Sequence, residues 1–293
     1  MNEPIGDVVT GSDVVRHFLR REVRSLATNE PLVRDRFDVE AVHQLRVSAR
    51  RLRSEIQAMR RVLPSQPWHE LADDLKWMGS SLGPLRDLDV LVALFDRFLT
   101  PGTELNAELR VALGRGRARR ERAVSSLLAS RRYARIVERL QRLADRPRVG
   151  EWGETPAADL FMPSLWEASC AYLAAVGDPA LRRSDEELHQ VRIASKKCRY
   201  SFEVAALFLG DDARRVAGSL AEIQGVLGDV HDRVVAVSFL DTVALGEERD
   251  LELRRALRAE IADLRPRWPQ HFKDARDAMA VVFEQGPGGR VPS

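Results

Sequence analysis

The sequence predicts an all-α protein in which one helical bundle occurs twice. Apolar residues recur at steps of three and four along almost the whole chain, which is the spacing of one helix face, and no run alternates as a half-buried strand does. Aromatic residues make up only 6% of the 293 residues, whereas β-sandwiches and barrels depend on aromatic and β-branched side chains. A repeated sequence block provides the evidence for duplication.

Capping residues and helix breakers set the predicted limits of the helices in the first half. Asn29-Glu30-Pro31 ends the first helix, Asp38 caps the second, and Gly83-Pro84 separates the third from the fourth. The predicted helices cover residues 12–26, 39–63, 68–82, 87–100, 104–130 and 132–143. After residue 145 the same plan begins again.

Two sequence blocks recur in the same order in both halves of the chain. The run VHQLRVSARRLR at 42–53 is matched, about 146 residues later, by LHQVRIASKKCR at 188–199. Downstream, LGPLRD at 82–87 is matched by LGDVHD at 227–232. We therefore predict one domain over residues 10–285. It consists of repeat one at 12–145, a Pro- and Gly-containing linker at 146–158 and repeat two at 160–285, and a disordered tail follows at 286–293.

In each copy, one face of the repeated helix carries cations and a different face carries apolar side chains. At about 100° per residue, the four cationic or His side chains of each copy fall within a sector of about 80° and extend about 15 Å along the helix. These two basic rows are His43, Arg46, Arg50 and Arg53 in the first copy, and His189, Arg192, Lys196 and Arg199 in the second.

A single basic helix face is usually solvated or paired with neighbouring helices. Its duplication favours a multivalent anion as ligand, because closely spaced like charges on a helix cost stability that an anion would offset. No Gly-rich loop and no aromatic platform accompanies the rows, so a chain of phosphates fits them better than nucleobases, which stack on aromatic rings. Duplex DNA stays an alternative, since Arg-rich helices enter the major groove.

Composition excludes several other classes of protein. The formal net charge is only +2, although all but four of the 46 cationic residues are Arg, which binds phosphate bidentately. Cys170 and Cys198 have no CxxC spacing, so we expect neither a disulfide framework nor a metal site, and no cofactor. No signal peptide and no apolar run near the length of a membrane span, about 20 residues, is present, which predicts a cytoplasmic location.

These motifs resemble the CHAD domain, the conserved histidine α-helical domain. The resemblance rests on 42–53, on 188–203 with its Arg199-Tyr200-x-x-Glu203, on both Leu-Gly-x-x-x-Asp blocks and on Arg132-Tyr133, and it spans about residues 10–285. It implies two four-helix bundles related by pseudo-twofold symmetry around a basic cavity or groove. It also implies binding of inorganic polyphosphate and, in some members, association with polyphosphate granules.

Carried over by position, the resemblance implies that the eight residues of the basic rows contact polyphosphate. Arg51 and Lys197 project to the side and are second-rank candidates, and Arg16 and Arg20 would widen the positive field. Family members are often fused to a CYTH triphosphate-tunnel domain. The sequence has no Glu-x-Glu-x-Lys motif and no β-rich region, so we expect a stand-alone, non-catalytic member.

Three alternative functions stay open at this point. A metal-dependent phosphohydrolase acting on polyphosphate or nucleotides would use Asp87, Asp232 and His231. The Asp87-x-Asp89 pair is not repeated, however, and an N-cap or a salt bridge to the basic helix is favoured for the acids. The second alternative is a helical nucleic-acid-binding protein. The third is a structural adaptor whose basic rows form internal salt bridges.

Overall fold

The computed structural model describes residues 9–60, 63–181, 183–243 and 250–284, and these residues confirm the all-α class. They form ten α-helices and two short 3-10 helices, Gly150–Trp152 and Arg265–Arg267, with one isolated bridge between Thr10 and Pro156. The α-helices are α1 (Gly11–Arg36), α2 (Val39–Ala58), α3 (Ser65–Phe98), α4 (Glu104–Ala129), α5 (Arg131–Asp145), α6 (Ala157–Val176), α7 (Asp185–Leu209), α8 (Asp211–Thr242), α9 (Leu251–Leu264) and α10 (Trp268–Glu284).

The first helix is longer than predicted, since α1 continues through Pro31 to Arg36. Proline removes one backbone hydrogen bond from a helix interior. Beyond it, Val33 is buried in the same core as the earlier apolar residues of α1. Nearby, the Asn29 side-chain amide donates to the Ser25 carbonyl at 2.7 Å. Burial of the continuing apolar face therefore outweighs the local cost of the proline, and the predicted end at residue 26 was wrong.

The predicted break at Gly83-Pro84 was also wrong, because α3 continues through this pair to Phe98; its non-helical residue is Gln66, near the start. Leu82 and Leu85, on either side of the pair, are both fully buried, whereas Pro84 itself is exposed. The apolar face is thus continuous across the proline. One rigid helix consequently carries the Leu-Gly-x-x-x-Asp block from the first core toward the second half of the molecule.

The helix of the first basic row begins where the sequence predicted. The Ala41 amide donates to the Asp38 carboxylate at 3.0 Å, so Asp38 caps α2, which ends at Ala58 rather than at residue 63. Its counterpart α7 begins after Ser184, which forms a capping box with Glu187. Both basic rows therefore lie on regular, capped helices.

The buried apolar side chains of the described residues form three cores. The first lies mainly among α1, α2, α5 and the start of α3, and the second among α6, α7, α8 and α10. The third joins the C-terminal parts of α3 and α8 to α4 and α9, and Phe95 and Phe239 meet there with ring centroids 5.9 Å apart. Its buried members are Leu88, Leu91, Leu94, Phe95, Leu109, Leu113, Ala236, Leu240, Leu253 and Leu257. Sequence periodicity finds buried faces, but it does not show which faces meet between repeats.

The helix order of α1–α5 recurs in α6–α10, with the basic helix second in each half. The packing of the last helix differs, since α5 packs mainly on α1 whereas α10 packs mainly on α8. Pseudo-twofold symmetry and the repeat limits stay predictions. The proposed tail at 286–293 lies outside the described residues. None of the helices in the described ranges is long and apolar enough to cross a membrane.

Candidate functional site

The two helices that carry the basic rows are in direct contact. Arg50 Nε on α2 donates to the Tyr200 hydroxyl on α7 at 3.0 Å, and Arg51 Nε lies 3.3 Å from a carboxylate oxygen of Glu203 on α7. Tyr200 is buried, so this contact is part of the packed interface between the halves. The rows are therefore brought together by the fold.

Lys196 is at the centre of the charges that converge there. Burial and the surrounding cations lower the pKa of Lys196 to about 7. The cations that contribute, in decreasing order, are Arg192, Arg50, Arg46 and Arg199. We call Lys196 and these four arginines the basic cluster. It draws on α2 and α7, and four of its five members occupy equivalent positions in the two rows.

Arg192 shows the same crowding of positive charge. Burial lowers the pKa of Arg192, and the charges of Arg50 and Arg46 lower it further, while the Asp232 carboxylate opposes them. Its Nε atom is buried and has no hydrogen-bond partner in the structure. A buried guanidinium donor without an acceptor is unusual in a folded protein, and an added anion would satisfy it.

Residues of α3 and α8 complete the site from the second repeated block. Arg46 Nη1 lies 3.2 Å from Asp87 Oδ1 on α3. On α8, burial and the charges of Arg192 and His189 lower the pKa of His231, while Asp87 opposes them. The blocks at 82–87 and 227–232 thus face the basic cluster, and Asp87 forms the salt bridge to the basic helix that the sequence favoured over a catalytic role.

A glycine lies one helical turn before Asp87 and another before Asp232, and each glycine lies against an arginine of the basic cluster. A Cβ atom on Gly83 would lie 3.7 Å from the Arg46 guanidinium, and one on Gly228 would lie 3.5 Å from that of Arg192. The arginines therefore pack closely on the helix surface where a side chain is absent. The Leu-Gly-x-x-x-Asp spacing places the glycine and the acid on one face of the helix.

The two row histidines lie beside the basic cluster. Burial, followed by the charge of Arg86, lowers the pKa of His43, which favours its neutral form. His189 packs on His231 with ring centroids 5.0 Å apart, and its Nδ1 atom is buried without a hydrogen-bond partner. Both histidines are half-buried, so each can still be reached by a ligand.

The remaining candidates pair with acids or lie at exposed helix surfaces. Arg199 lies next to Glu203, with 3.5 Å between Nε and a carboxylate oxygen, and Glu203 also pairs with the second-rank Arg51. Arg53 and Lys197 are exposed at their helix surfaces. On α1, Arg20 is exposed and Arg16 pairs with Asp13 at 3.3 Å.

Sequence reasoning missed Arg86 and the structural part played by Tyr200. The positive charge of Arg86 helps to lower the pKa of His43 and opposes the rise that burial causes in the pKa of Asp232. Its position within the repeated block, opposite His231 in the second copy, was an available signal, because both side chains can carry positive charge. The hydroxyl of Tyr200 carried no such signal, since the aligned residue of the first copy is Ser54.

The geometry of the acids bears on the metal-dependent alternative. Asp89, two residues after Asp87, is buried and pairs with Arg117 on α4 at 2.6 Å, so it lies in the third core. In the part of the chain that the structure describes, no group of three or more His, Cys, Asp and Glu side chains is arranged to hold a metal ion. The described residues thus offer a basic site with two acids at its edge.

Fold and site together define an all-α protein in which both halves contribute to one basic cluster. The CHAD domain family model matches residues 17–241, and the chain belongs to this family. It is 30% identical over 243 residues to uncharacterized proteins from two strains of Mycobacterium tuberculosis, with 77% of this chain and 44% of each relative covered. The chain therefore spans less than half the length of these curated relatives.

Solved structures agree with the family assignment. The crystal structure of the CHAD domain from the plant Ricinus communis matches with a TM-score of 0.71 and 26% identity, covering 95% of this chain and 94% of that one. PptA from Streptomyces chartreusis matches with a TM-score of 0.64, covering 92% and 99% of the two chains. Its identity of 20% supports the fold alone.

Proposed function

We propose that this protein binds inorganic polyphosphate in the groove formed by the basic cluster, without catalysis. The observation that carries the proposal is the convergence of four arginines, from both halves of the chain, on Lys196. Association of the CHAD family with polyphosphate supports the same ligand. Binding would explain why the fold holds like charges together.

Holding the cations of the basic cluster together costs free energy when no ligand is bound. Like charges at short range disfavour the folded protein, and partial burial increases that cost, because the charges lose water. The lowered pKa of Lys196 is a direct expression of this repulsion and desolvation. A polyanion supplies several negative charges and accepts charge-assisted hydrogen bonds from each cation. Binding of a polyanion therefore offsets the repulsion among the cations.

Phosphate groups fit the site better than nucleobases do. Binding of single-stranded nucleic acid depends on exposed aromatic rings on which the bases stack. Tyr200, the aromatic side chain within the second row, is buried, and its hydroxyl is already bound by Arg50. The cluster offers guanidinium and ammonium donors, which suit a phosphate chain.

The structure also suggests different roles for the individual candidates. We assign the main contacts to Arg46, Arg50, Arg192 and Lys196, while His43 and His189 would add hydrogen-bond donors at the start of each row. Arg199 and Arg51 share Glu203, so their contribution to binding would be smaller. Arg53, Lys197, Arg16 and Arg20 would extend the field around the groove. A location at polyphosphate granules would follow from this binding.

The phosphohydrolase is a second candidate, because Asp87 and His231 lie close enough for the carboxylate to raise the pKa of the imidazole. Incubation with polyphosphate or nucleotides and Mg²⁺ or Mn²⁺ distinguishes the two functions. Metal-dependent release of phosphate would support the enzyme, and its absence alongside tight binding would support the non-catalytic role.

The decisive experiment is a salt titration of polyphosphate binding by calorimetry, with DNA of equal charge as competitor. The test variant is Arg46→Ala, Arg50→Ala, Arg192→Ala and Lys196→Ala, with its fold checked by circular dichroism. We expect it to bind more than about 100-fold more weakly, because four charge-assisted contacts are removed. Wild-type affinity should fall steeply with salt, as for other polyanion binders.

A matched control removes the same number of charges elsewhere. Arg115, Arg119, Arg122 and Arg135 are exposed on α4 and α5, so replacing all four by Ala lowers the net charge equally. This control should keep most of the affinity. Equal affinities of wild type and test variant would overturn the proposal, and displacement by DNA would favour the nucleic-acid alternative.

A further inference from the structure

The repeated Leu-Gly-x-x-x-Asp block gives each half of the site one acid and one arginine partner. In the first half, Asp87 Oδ1 lies 3.2 Å from Arg46 Nη1, with 61% of the acid side chain and 35% of the arginine side chain exposed. The two side chains are joined by an ion pair rather than by the bidentate hydrogen bonds that make such pairs strong. The pair is accessible to solvent.

The second half repeats the arrangement in a more buried setting. Asp232 is the main negative charge acting on Arg192, whose guanidinium lies against Gly228. Burial raises the pKa of Asp232, and the charge of Arg192 opposes that rise. Arg46 and Arg192, which occupy equivalent positions in the repeat, thus each have an acid of the same protein nearby.

We propose that Asp87 and Asp232 are internal anions of the basic cluster: Asp87 pairs with Arg46, Asp232 lies near Arg192, and both give way to phosphates of the ligand. This inference rests on the proposed function. A carboxylate and a phosphate accept hydrogen bonds from the same edge of a guanidinium. Asp87 is exposed enough to be hydrated when a phosphate takes its place.

The arrangement has a consequence for the class of ligand. A single phosphate that reaches Arg46 replaces one anion by another and gains little. A chain of phosphates also reaches Arg50 and Lys196, for which no acid contact is found in the described residues. The two acids therefore weaken binding of isolated phosphate more than they weaken binding of a phosphate chain.

A purely structural role for the two acids makes the opposite prediction. If the acids only hold the arginines in position, neutralising Asp87 lowers the stability of the protein and leaves ligand affinity unchanged or weaker. If the acids are internal anions, neutralising Asp87 still lowers the stability of the ligand-free protein but tightens ligand binding. Opposite signs of the two effects are the signature of competition.

The test compares Asp87→Asn, Asp232→Asn and the double variant with wild type. Binding of orthophosphate, tripolyphosphate and long-chain polyphosphate is measured by calorimetry, and unfolding by urea is measured without ligand. We expect each single change to tighten long-chain polyphosphate binding about threefold and the double change about tenfold, in the range of exposed ion pairs. We expect orthophosphate binding to be undetectable in wild type and measurable in the double variant.

The control is Asp96→Asn, also on α3, where Asp96 pairs with the surface residue Arg110 at 2.7 Å. It should leave all three affinities unchanged. Unchanged or weaker polyphosphate binding by a folded Asp87→Asn or Asp232→Asn protein would overturn the inference while leaving the proposed function intact. The two acids lie in different repeats, so either variant tests the inference if the other does not fold. Absence of binding by wild type would overturn both.

Discussion

Arg50 and Tyr200 are joined by a hydrogen bond that has no equivalent in the other half of the site. Arg50 Nε donates to the Tyr200 hydroxyl, whereas Ser54, which the repeat aligns with Tyr200, donates to the carbonyl of Arg50 on its own helix. Lys196, which aligns with Arg50, therefore gains no hydroxyl partner from Ser54. The two equivalent positions therefore differ. The Arg50 guanidinium is held by a hydrogen bond, whereas the Lys196 ammonium is surrounded by other cations.

Removing the Tyr200 hydroxyl should release Arg50. Tyr200→Phe keeps the buried ring but leaves Arg50 Nε without its acceptor, so we expect a loss of about 1 kcal/mol in the free energy of unfolding. Polyphosphate affinity should fall a few-fold, because a guanidinium with more freedom loses more entropy on binding. Urea unfolding and calorimetry measure the two effects.

Tyr133→Phe is the matched control for this change. The Tyr133 hydroxyl donates to Glu30 at 2.8 Å in the first core. Its removal should cost similar stability without changing affinity. Equal affinities of the Tyr200→Phe protein and wild type would show that the hydrogen bond does not orient Arg50 for binding.

The lowered pKa of Lys196 predicts how stability depends on pH. The ordinary value is 10.5 and the value in the folded protein is about 7. Between these values the unfolded chain binds the proton and the folded chain does not, so this residue makes the free energy of unfolding rise as pH increases from about 7 to 10.5. Lys196→Arg should abolish this contribution, which urea unfolding at several pH values would detect.

Ligand binding should reverse the effect on Lys196. A polyanion favours the charged ammonium, so binding at pH 8 takes up a proton and affinity falls as pH rises above 7. Calorimetry in two buffers of different ionisation enthalpy counts the protons. Lys196→Arg should lower the uptake, whereas Lys197→Arg, at an exposed neighbour, should not. The same uptake in all three proteins would refute the prediction.

Arg199 should matter more for stability than for binding. It is only 17% exposed, its Nε lies 3.5 Å from Glu203, and its guanidinium lies 4.9 Å from the centre of the Tyr200 ring. Arg199→Ala should lower the free energy of unfolding by about 1–2 kcal/mol, because an ion pair and packing are lost. Arg46→Ala should cost less stability and more affinity. A larger loss of stability from Arg46→Ala and a larger loss of affinity from Arg199→Ala would contradict this prediction.

Pro84 should destabilise α3 in the present protein. Proline in a helix interior costs about 3 kcal/mol relative to alanine, and Pro84 is exposed, so its replacement loses little packing. We expect Pro84→Ala to raise the free energy of unfolding by about 1–3 kcal/mol in urea. Pro101→Ala, in the loop after α3, should change stability little. Destabilisation by Pro84→Ala would indicate that the helix needs the local geometry that proline imposes.

Helix type and the placement of the basic rows could be read from the sequence, because both depend on local periodicity. The starts of α2 and α7 follow from side-chain caps within a few residues of each other in the chain. Two helix ends could not be read in this way. Pro31 and Pro84 are local breakers, and the burial of Val33 and Leu85 that overrides them depends on the tertiary fold.

For the candidate site, the sequence predicts which residues share a helix face but not which residues on other helices they contact. Spacing alone placed Arg46 and Arg50 on one face, and duplication pointed to a second face like it. That Arg50 would bind Tyr200, and that Arg86 would lie near His43, depends on how α2 packs against α7 and α3. Such contacts between distant parts of the chain leave no trace in periodicity.

The third core has a consequence for each half of the chain taken alone. Repeat one alone would leave Leu88, Leu91 and Phe95 without the cover that α8 and α9 provide. The first core is incomplete as well, since it includes Val204 of α7. A chain limited to residues 12–145 would need a second copy to cover these surfaces, and its stability would then depend on its concentration. Joining both halves in one chain makes this cover independent of protein concentration.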